Sequence, residues 1–179
     1  METERLQAKR LFMQYGGSTI RMYKAGALET YKAHEVPPAL EAEWVREMIG
    51  GFAQALSIRD WEAAAALEET ARAHKDPQAL QQAVRFASRH LMSADSVVKL
   101  KHAEHLIGML KALNGIAGIE LSHEAIRTAK VILDDVIAQP LVLDAGHDLA
   151  SLGLKDKRAL NQRAGMLIEA LKDLLAGSR

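Results

Sequence analysis

The hydrophobic and polar positions follow a helical period along most of the chain after Pro37-Pro38. Apolar residues recur there every three or four positions, which places them on one face of an α-helix. The first and clearest of these stripes comprises Leu40, Trp44, Met48, Phe52 and Leu56. A stripe of this kind must be buried against another element, so this part of the chain is predicted to be a set of mutually packed helices.

Short polar residues precede the apolar stripes and predict where the helices begin. Asp76-Pro77 combines a capping aspartate with a proline at the first helical position, which favours helix initiation. Further starts are predicted at Asp60, Asp95, Ser122 and Asp156. Because the connections are very short, consecutive helices must pack antiparallel to one another. The predicted fold class is therefore all-α, an antiparallel bundle of about six to seven helices.

The segment 18–36 differs from the rest because it lacks a helical period. Ile20 and Met22 alternate with polar residues, which is typical of a short β-hairpin or an extended arm. A lone two-stranded ribbon is marginal in water and must lie on another surface. We therefore predict that residues 1–36, a helix followed by this arm, belong to the same domain as the helical bundle at residues 37–179.

Composition narrows the function classes. Lys plus Arg and Asp plus Glu both number 23, and this balance argues against nucleic acid and anionic membranes as partners. The absence of cysteine excludes disulfides, thiolate nucleophiles and zinc–thiolate sites. The first residues are acidic, unlike a signal peptide, and no stretch approaches the ~20 apolar residues of a membrane span. The expected location is cytoplasmic.

The sequence His102-Ala103-Glu104-His105 is a candidate metal site. Residues three apart on a helix point to the same side, so both imidazoles can reach one zinc, iron or nickel ion. A third ligand must come from elsewhere in the chain, and the candidates are His123, His147 and the Asp134-Asp135 pair. The alternative is that both histidines border the core with their polar tips hydrogen-bonded or hydrated.

A second candidate site lies in the N-terminal part of the chain. Between Arg5 and His34 there are six Lys and Arg residues against a single Glu, and all three tyrosines fall within the same stretch. Basic residues interleaved with aromatic rings can bind phosphates or bases. The predicted anion-binding residues are Arg21, Tyr23, Lys24, Tyr31 and Lys32. The alternative is that this basic arm pairs with the acidic residues that follow it, within one chain or across a dimer.

No cofactor fingerprint and no catalytic motif accompanies these patterns, so no cofactor and no catalytic residue is predicted. The leading interpretation is a non-enzymatic cytoplasmic protein that acts through protein–protein contacts, either as a homo-oligomer or with a protein partner. A regulatory role is one of the functions that this interpretation allows. The first alternative is a metal-binding bundle enzyme that uses His102 and His105. The second alternative is a protein that binds a small anion or a nucleotide at the basic arm.

Overall fold

The computed structural model describes residues 1–177, which form nine α-helices and two short 3-10 helices. The 3-10 helices span Leu91–Ser93 and Ala150–Leu152. None of the helices in this described range is long and apolar enough to cross a lipid bilayer. The α-helices are α1 (Glu2–Gln14), α2 (Thr19–Lys24), α3 (Leu28–Lys32), α4 (Pro38–Ala55), α5 (Glu62–His74), α6 (Pro77–His90), α7 (Ser96–Ala112), α8 (Ile119–Ala138) and α9 (Lys157–Gly177).

The predicted all-α class is confirmed, since residues 1–177 contain no β-strand. Seven of the helices, α1 and α4 to α9, have 13 or more residues, which agrees with the predicted number. The predicted capping aspartates at Asp76 and Asp95 are confirmed, because their side chains accept hydrogen bonds from Gln78 N and Val98 N. Helix α8 begins earlier than predicted, at Ile119 after Gly118, which has a φ of 75°.

The predicted N-terminal β-hairpin or extended arm is wrong. The segment instead contains the two short helices α2 and α3. The side chain of Ser18 accepts a hydrogen bond from Arg21 N and thereby starts α2. Each short helix then buries one large side chain, Met22 in α2 and Tyr31 in α3. A helix of six residues presents too few apolar positions for its period to be distinguished from strand alternation.

The chain divides into two compact units, Met1–Gly51 and Phe52–Arg179. The first unit, which we call unit 1, contains α1 to α3 and most of α4. Its core includes the ring of Phe12, whose centroid lies 5.3 Å from that of Trp44 and 6.2 Å from that of Tyr31. The prediction that residues 1–36 belong to the same domain as the helical bundle at residues 37–179 stays a prediction.

The second unit, unit 2, is built around α7. Ten of the 17 residues of this helix are buried, because α5, α6, α8 and α9 all pack against it. A buried polar group on such a helix needs partners from the neighbouring elements, since leaving it unpaired is costly.

Candidate functional site

The most elaborate polar cluster of unit 2 lies at the start of α7. The side chain of Asp95 is fully buried, and its Oδ1 accepts a hydrogen bond from Val98 N at 2.8 Å. Its Oδ2 accepts two more, from Asp144 N at 2.9 Å and from Nδ1 of His147 at 2.6 Å. We call Asp95, Asp144 and His147 the Asp95 clamp, because they fasten the segment after α8 to the first turn of α7.

Neighbouring contacts hold the same segment in place. Ser96 N donates to the carbonyl of Val142 at 2.9 Å, and Val142 N donates to Ser96 Oγ at 3.0 Å. The ring of His147 lies against Trp61, with the two centroids 5.7 Å apart. The loop is therefore an ordered part of unit 2, fixed by backbone and side-chain hydrogen bonds to α7.

The electrostatics of the clamp favour a charged pair. Burial raises the pKa of Asp95, but the hydrogen bonds from Val98, Asp144 and His147 outweigh it and leave the pKa below its ordinary value. The hydrogen bond to Asp95 raises the pKa of His147, and a hydrogen bond to the backbone of Arg59 acts in the same direction. A carboxylate and a carbonyl as acceptors favour the doubly protonated imidazolium, which has two N–H donors.

The clamp is also the one place in residues 1–177 where three possible metal ligands converge. The ligand atoms of Asp95, Asp144 and His147 lie within 4.8 Å of one another. Both oxygens of Asp95 already accept hydrogen bonds, however, and the bonded nitrogen of His147 carries a proton. A cation bound to Asp95 and His147 would have to displace these donors, so the arrangement is complete as a hydrogen-bonded clamp.

The two histidines of the predicted metal site occupy different environments. His102 is buried, its Nε2 is 3.0 Å from the carbonyl oxygen of Asp60, and its ring stacks on Phe86. Burial lowers the pKa of His102, and the hydrogen bond to Asp60 only partly offsets this effect. His102 therefore behaves as a core side chain that satisfies a backbone carbonyl of the loop before α5.

His105 lies between α7 and α5 with both ring nitrogens buried and without a hydrogen-bond partner in the described residues. Its Nδ1 is 3.7 Å from Oε1 of Glu68, too far for a hydrogen bond. Burial lowers the pKa of His105 to about 4, and the charges of Lys101 and His102 act in the same direction. The imidazole is consequently neutral at pH 7.

The structure does not bring a third ligand of the predicted set to this pair, as far as the described residues go. His147 belongs to the Asp95 clamp, Asp134 pairs with Lys130, and Asp135 pairs with Lys99. His123 lies on α8 and makes an interaction of its own. Metal binding by His102 and His105 stays a prediction.

A half-buried ion pair that the sequence did not reveal joins α7 to α9. Nη2 of Arg163 lies 2.6 Å from Oε1 and 2.8 Å from Oε2 of Glu104, and its Nη1 donates to the carbonyl of Leu152. Because the two residues are 59 positions apart, no local spacing pointed to them. Their role is to fix α9 and the loop before it against the central helix.

The predicted anion-binding residues lie on α2 and α3 of unit 1. The hydroxyl of Tyr31 is committed to Glu41 Oε1 at 2.5 Å, and burial together with this bond raises the pKa of the phenol. Lys32 pairs with Glu29, while the ring of Tyr23 is 74% exposed. Part of the basic stretch thus pairs with nearby acidic groups, as Lys9 also does with Glu47 at 2.6 Å. Anion binding stays a prediction.

A cleft of about 410 Å³ in unit 1 is large enough for a small ligand. Its floor contains the buried residues Ala8 and Trp44, while Glu4, Arg5 and Glu35 on its rim are exposed. A ligand site normally also has polar groups that are shielded from water and orient the ligand. The charged groups of this cleft are all solvated, so it does not indicate a particular ligand.

An exposed apolar surface lies beside α8 in unit 2. Met92 lines two clefts, one shared with Val131 and the other with Val142. These three side chains are exposed by 48%, 57% and 57% respectively, although their neighbours Ile132 and Val136 are buried. We call the area formed by Met92, Val131 and Val142 the Met92 surface. Sequence reasoning missed it, because these residues belong to three separate elements.

Comparison of the chain with models of known protein families, with curated proteins and with solved structures finds no match in any of the three. Any function must therefore be inferred from the residues of this chain. Two features of unit 2 enter that inference: the Asp95 clamp, which is closed by its own hydrogen bonds, and the Met92 surface, which is open to solvent.

Proposed function

We propose that this chain is a non-enzymatic helical protein that acts through protein–protein contacts, and that it binds its partner with the Met92 surface. The observation that carries the proposal is that the exposed side chain of Met92 lines one cleft with the exposed Val131 of α8 and a second cleft with the exposed Val142 of the loop after α8. Single exposed apolar residues are normal on protein surfaces, whereas a contiguous apolar patch favours an interaction site. Methionine suits such a surface because its flexible side chain adapts to the partner.

The polar clusters of unit 2 support a binding role over a catalytic one. Both oxygens of Asp95 accept hydrogen bonds from the loop or from α7. His102 is committed to a backbone carbonyl, and Glu104 to Arg163. A catalytic base needs an open position next to a nucleophile or a substrate. These groups instead hold helices and loops together.

Replacing Val131 by aspartate is expected to reduce partner binding at least about tenfold, because it places a charge in the centre of the apolar surface. The matched control is Met166→Asp on α9, since Met166 is 74% exposed and lies outside the surface. Tagged forms of the wild-type chain and both variants should be compared as baits at equal expression, with the bound proteins quantified by mass spectrometry. Equal capture by all three forms would rule out the proposed function.

The alternatives from the sequence keep the status of predictions. A stoichiometric transition metal in protein purified without chelator, lost in the His102→Ala and His105→Ala variants, would favour the metal-binding enzyme. A salt-sensitive thermal shift with nucleotides, lost on replacing Arg21 and Lys24, would favour the anion binder. No contact among the described residues specifically favours either one. A cytoplasmic location is likewise part of the proposal.

A further inference from the structure

Two opposite charges flank Val131 on the exposed face of α8. Arg127 lies four residues before it and is exposed, with no hydrogen bond or ion pair of its side chain in the part of the chain that the structure describes. Asp134 lies three residues after it, is half exposed, and pairs with Lys130 at 2.6 Å. Residues seven apart on a helix share one side, so Arg127 and Asp134 lie in line, with Val131 between them.

This order of charges is self-complementary. In two antiparallel helices related by a two-fold axis, a residue one turn before the centre faces the residue one turn after the centre of the other helix. With Val131 at the centre, each Arg127 faces Asp134 of the second copy, and the two Val131 side chains meet. A row of positive, apolar and negative positions along one helix is thus matched by the same row in reverse.

The other positions of this face do not oppose the arrangement. Glu124, two turns before Val131, faces the uncharged Ala138 of the second copy. Thr128 faces Asp135, whose charge is already neutralised by Lys99 at 2.7 Å, with both side chains largely buried. Neither of these two facing pairs sets unneutralised like charges against each other, and this favours specific association.

We propose that the Met92 surface binds a second copy of itself, with α8 antiparallel to α8 of that copy about a two-fold axis at Val131. This inference rests on the proposed function and names the partner. Arg127 supplies the charged contact that has no counterpart within its own chain. The exposed parts of Met92 and Val142 add apolar area on the flank of α8. The contact is isologous, so association closes at the dimer.

Charge exchange at positions 127 and 134 tests this geometry. Arg127→Glu and Asp134→Arg should each weaken the dimer about tenfold, because each change sets like charges against each other twice. The double variant should restore the affinity of the wild type. An equimolar mixture of the two single variants should form a heterodimer, since the two introduced charges then face each other, and the native Asp134 of one chain faces the native Arg127 of the other. Sedimentation velocity from about 1 to 100 µM gives the affinities.

The controls are Glu169→Arg and Lys172→Glu on α9, an exposed ion pair at 2.8 Å outside the surface. These variants should associate like the wild type, and circular dichroism checks that every variant is folded. A wild-type chain that stays monomeric at about 100 µM would overturn the dimer, as would a double variant no tighter than the single ones. Either result leaves the capture experiment with Val131→Asp to decide the proposed function separately.

Discussion

Replacing Asp95 by alanine is expected to lower the free energy of unfolding by about 3 kcal/mol. The loss of the helix cap at Val98 N costs about 1 kcal/mol, and burying unpaired donors costs about 1 to 3 kcal/mol more. The donors left behind are Asp144 N and the ring of His147, both of which bind Oδ2. Urea denaturation at pH 7, monitored by circular dichroism, gives the difference.

The matched control for this variant is Asp76→Ala at the start of α6. Asp76 also caps a helix, accepting a hydrogen bond from Gln78 N at 2.9 Å, but it is not fully buried and holds no distant loop. Its replacement should cost about 1 kcal/mol, the usual value of a cap. If Asp95→Ala costs no more than Asp76→Ala, the loop contacts contribute nothing and the clamp is not a stabilising element.

The second large effect is a loss of folding stability at acidic pH that is caused by His105. The pKa of His105 is lowered by burial from 6.5 to about 4 in the folded protein, so the unfolded chain binds the proton first. Its contribution to stability is therefore fully present above pH 6.5 and is lost as the pH falls toward 4. A shift of this size corresponds to a loss of about 3 kcal/mol across that window. Unfolding free energies of wild type and His105→Leu should be measured between pH 7 and pH 4.

Comparison with the variant separates His105 from the other groups that titrate in this range. The raised pKa of Glu68, caused mainly by burial, and that of His147 act in both proteins. The wild type should lose stability more steeply than His105→Leu as the pH falls. Leu106→Ala, which removes a buried apolar group, should run parallel to the wild type. Parallel curves for His105→Leu and wild type would show that His105 titrates normally.

The helices of the fold were predictable because their signals are local. The cap and proline at Asp76-Pro77 and the cap at Asp95 act within one turn, and the observed helices begin where these residues predict. The prediction for segment 18–36 was wrong because it also relied on a local pattern, and this pattern was too short. Apolar and polar residues alternate over only four positions around Met22. The helix cap at Ser18 and the burial of Met22 therefore determine that this segment is helical. Tertiary burial outweighs so short a pattern.

The contacts that hold unit 2 together join residues that are far apart in the sequence. A local spacing pattern could therefore not predict them. From the sequence, His147 was one of the possible metal ligands. In the structure its side chain contacts Asp95, which lies 52 residues earlier in the chain. The Met92 surface is similar, because Met92 comes to lie next to Val131 and next to Val142 only once the 3-10 helix Leu91–Ser93, α8 and the loop after α8 are packed together.

The most direct test of the dimer uses the absence of cysteine from the chain. A single cysteine introduced as Val131→Cys lies on the proposed two-fold axis, where it can form a disulfide only with the same introduced thiol of a second copy. We predict rapid formation of a covalent dimer under mild oxidation at low micromolar concentration, while Met166→Cys stays monomeric. Equal rates of dimer formation by the two variants would contradict the account.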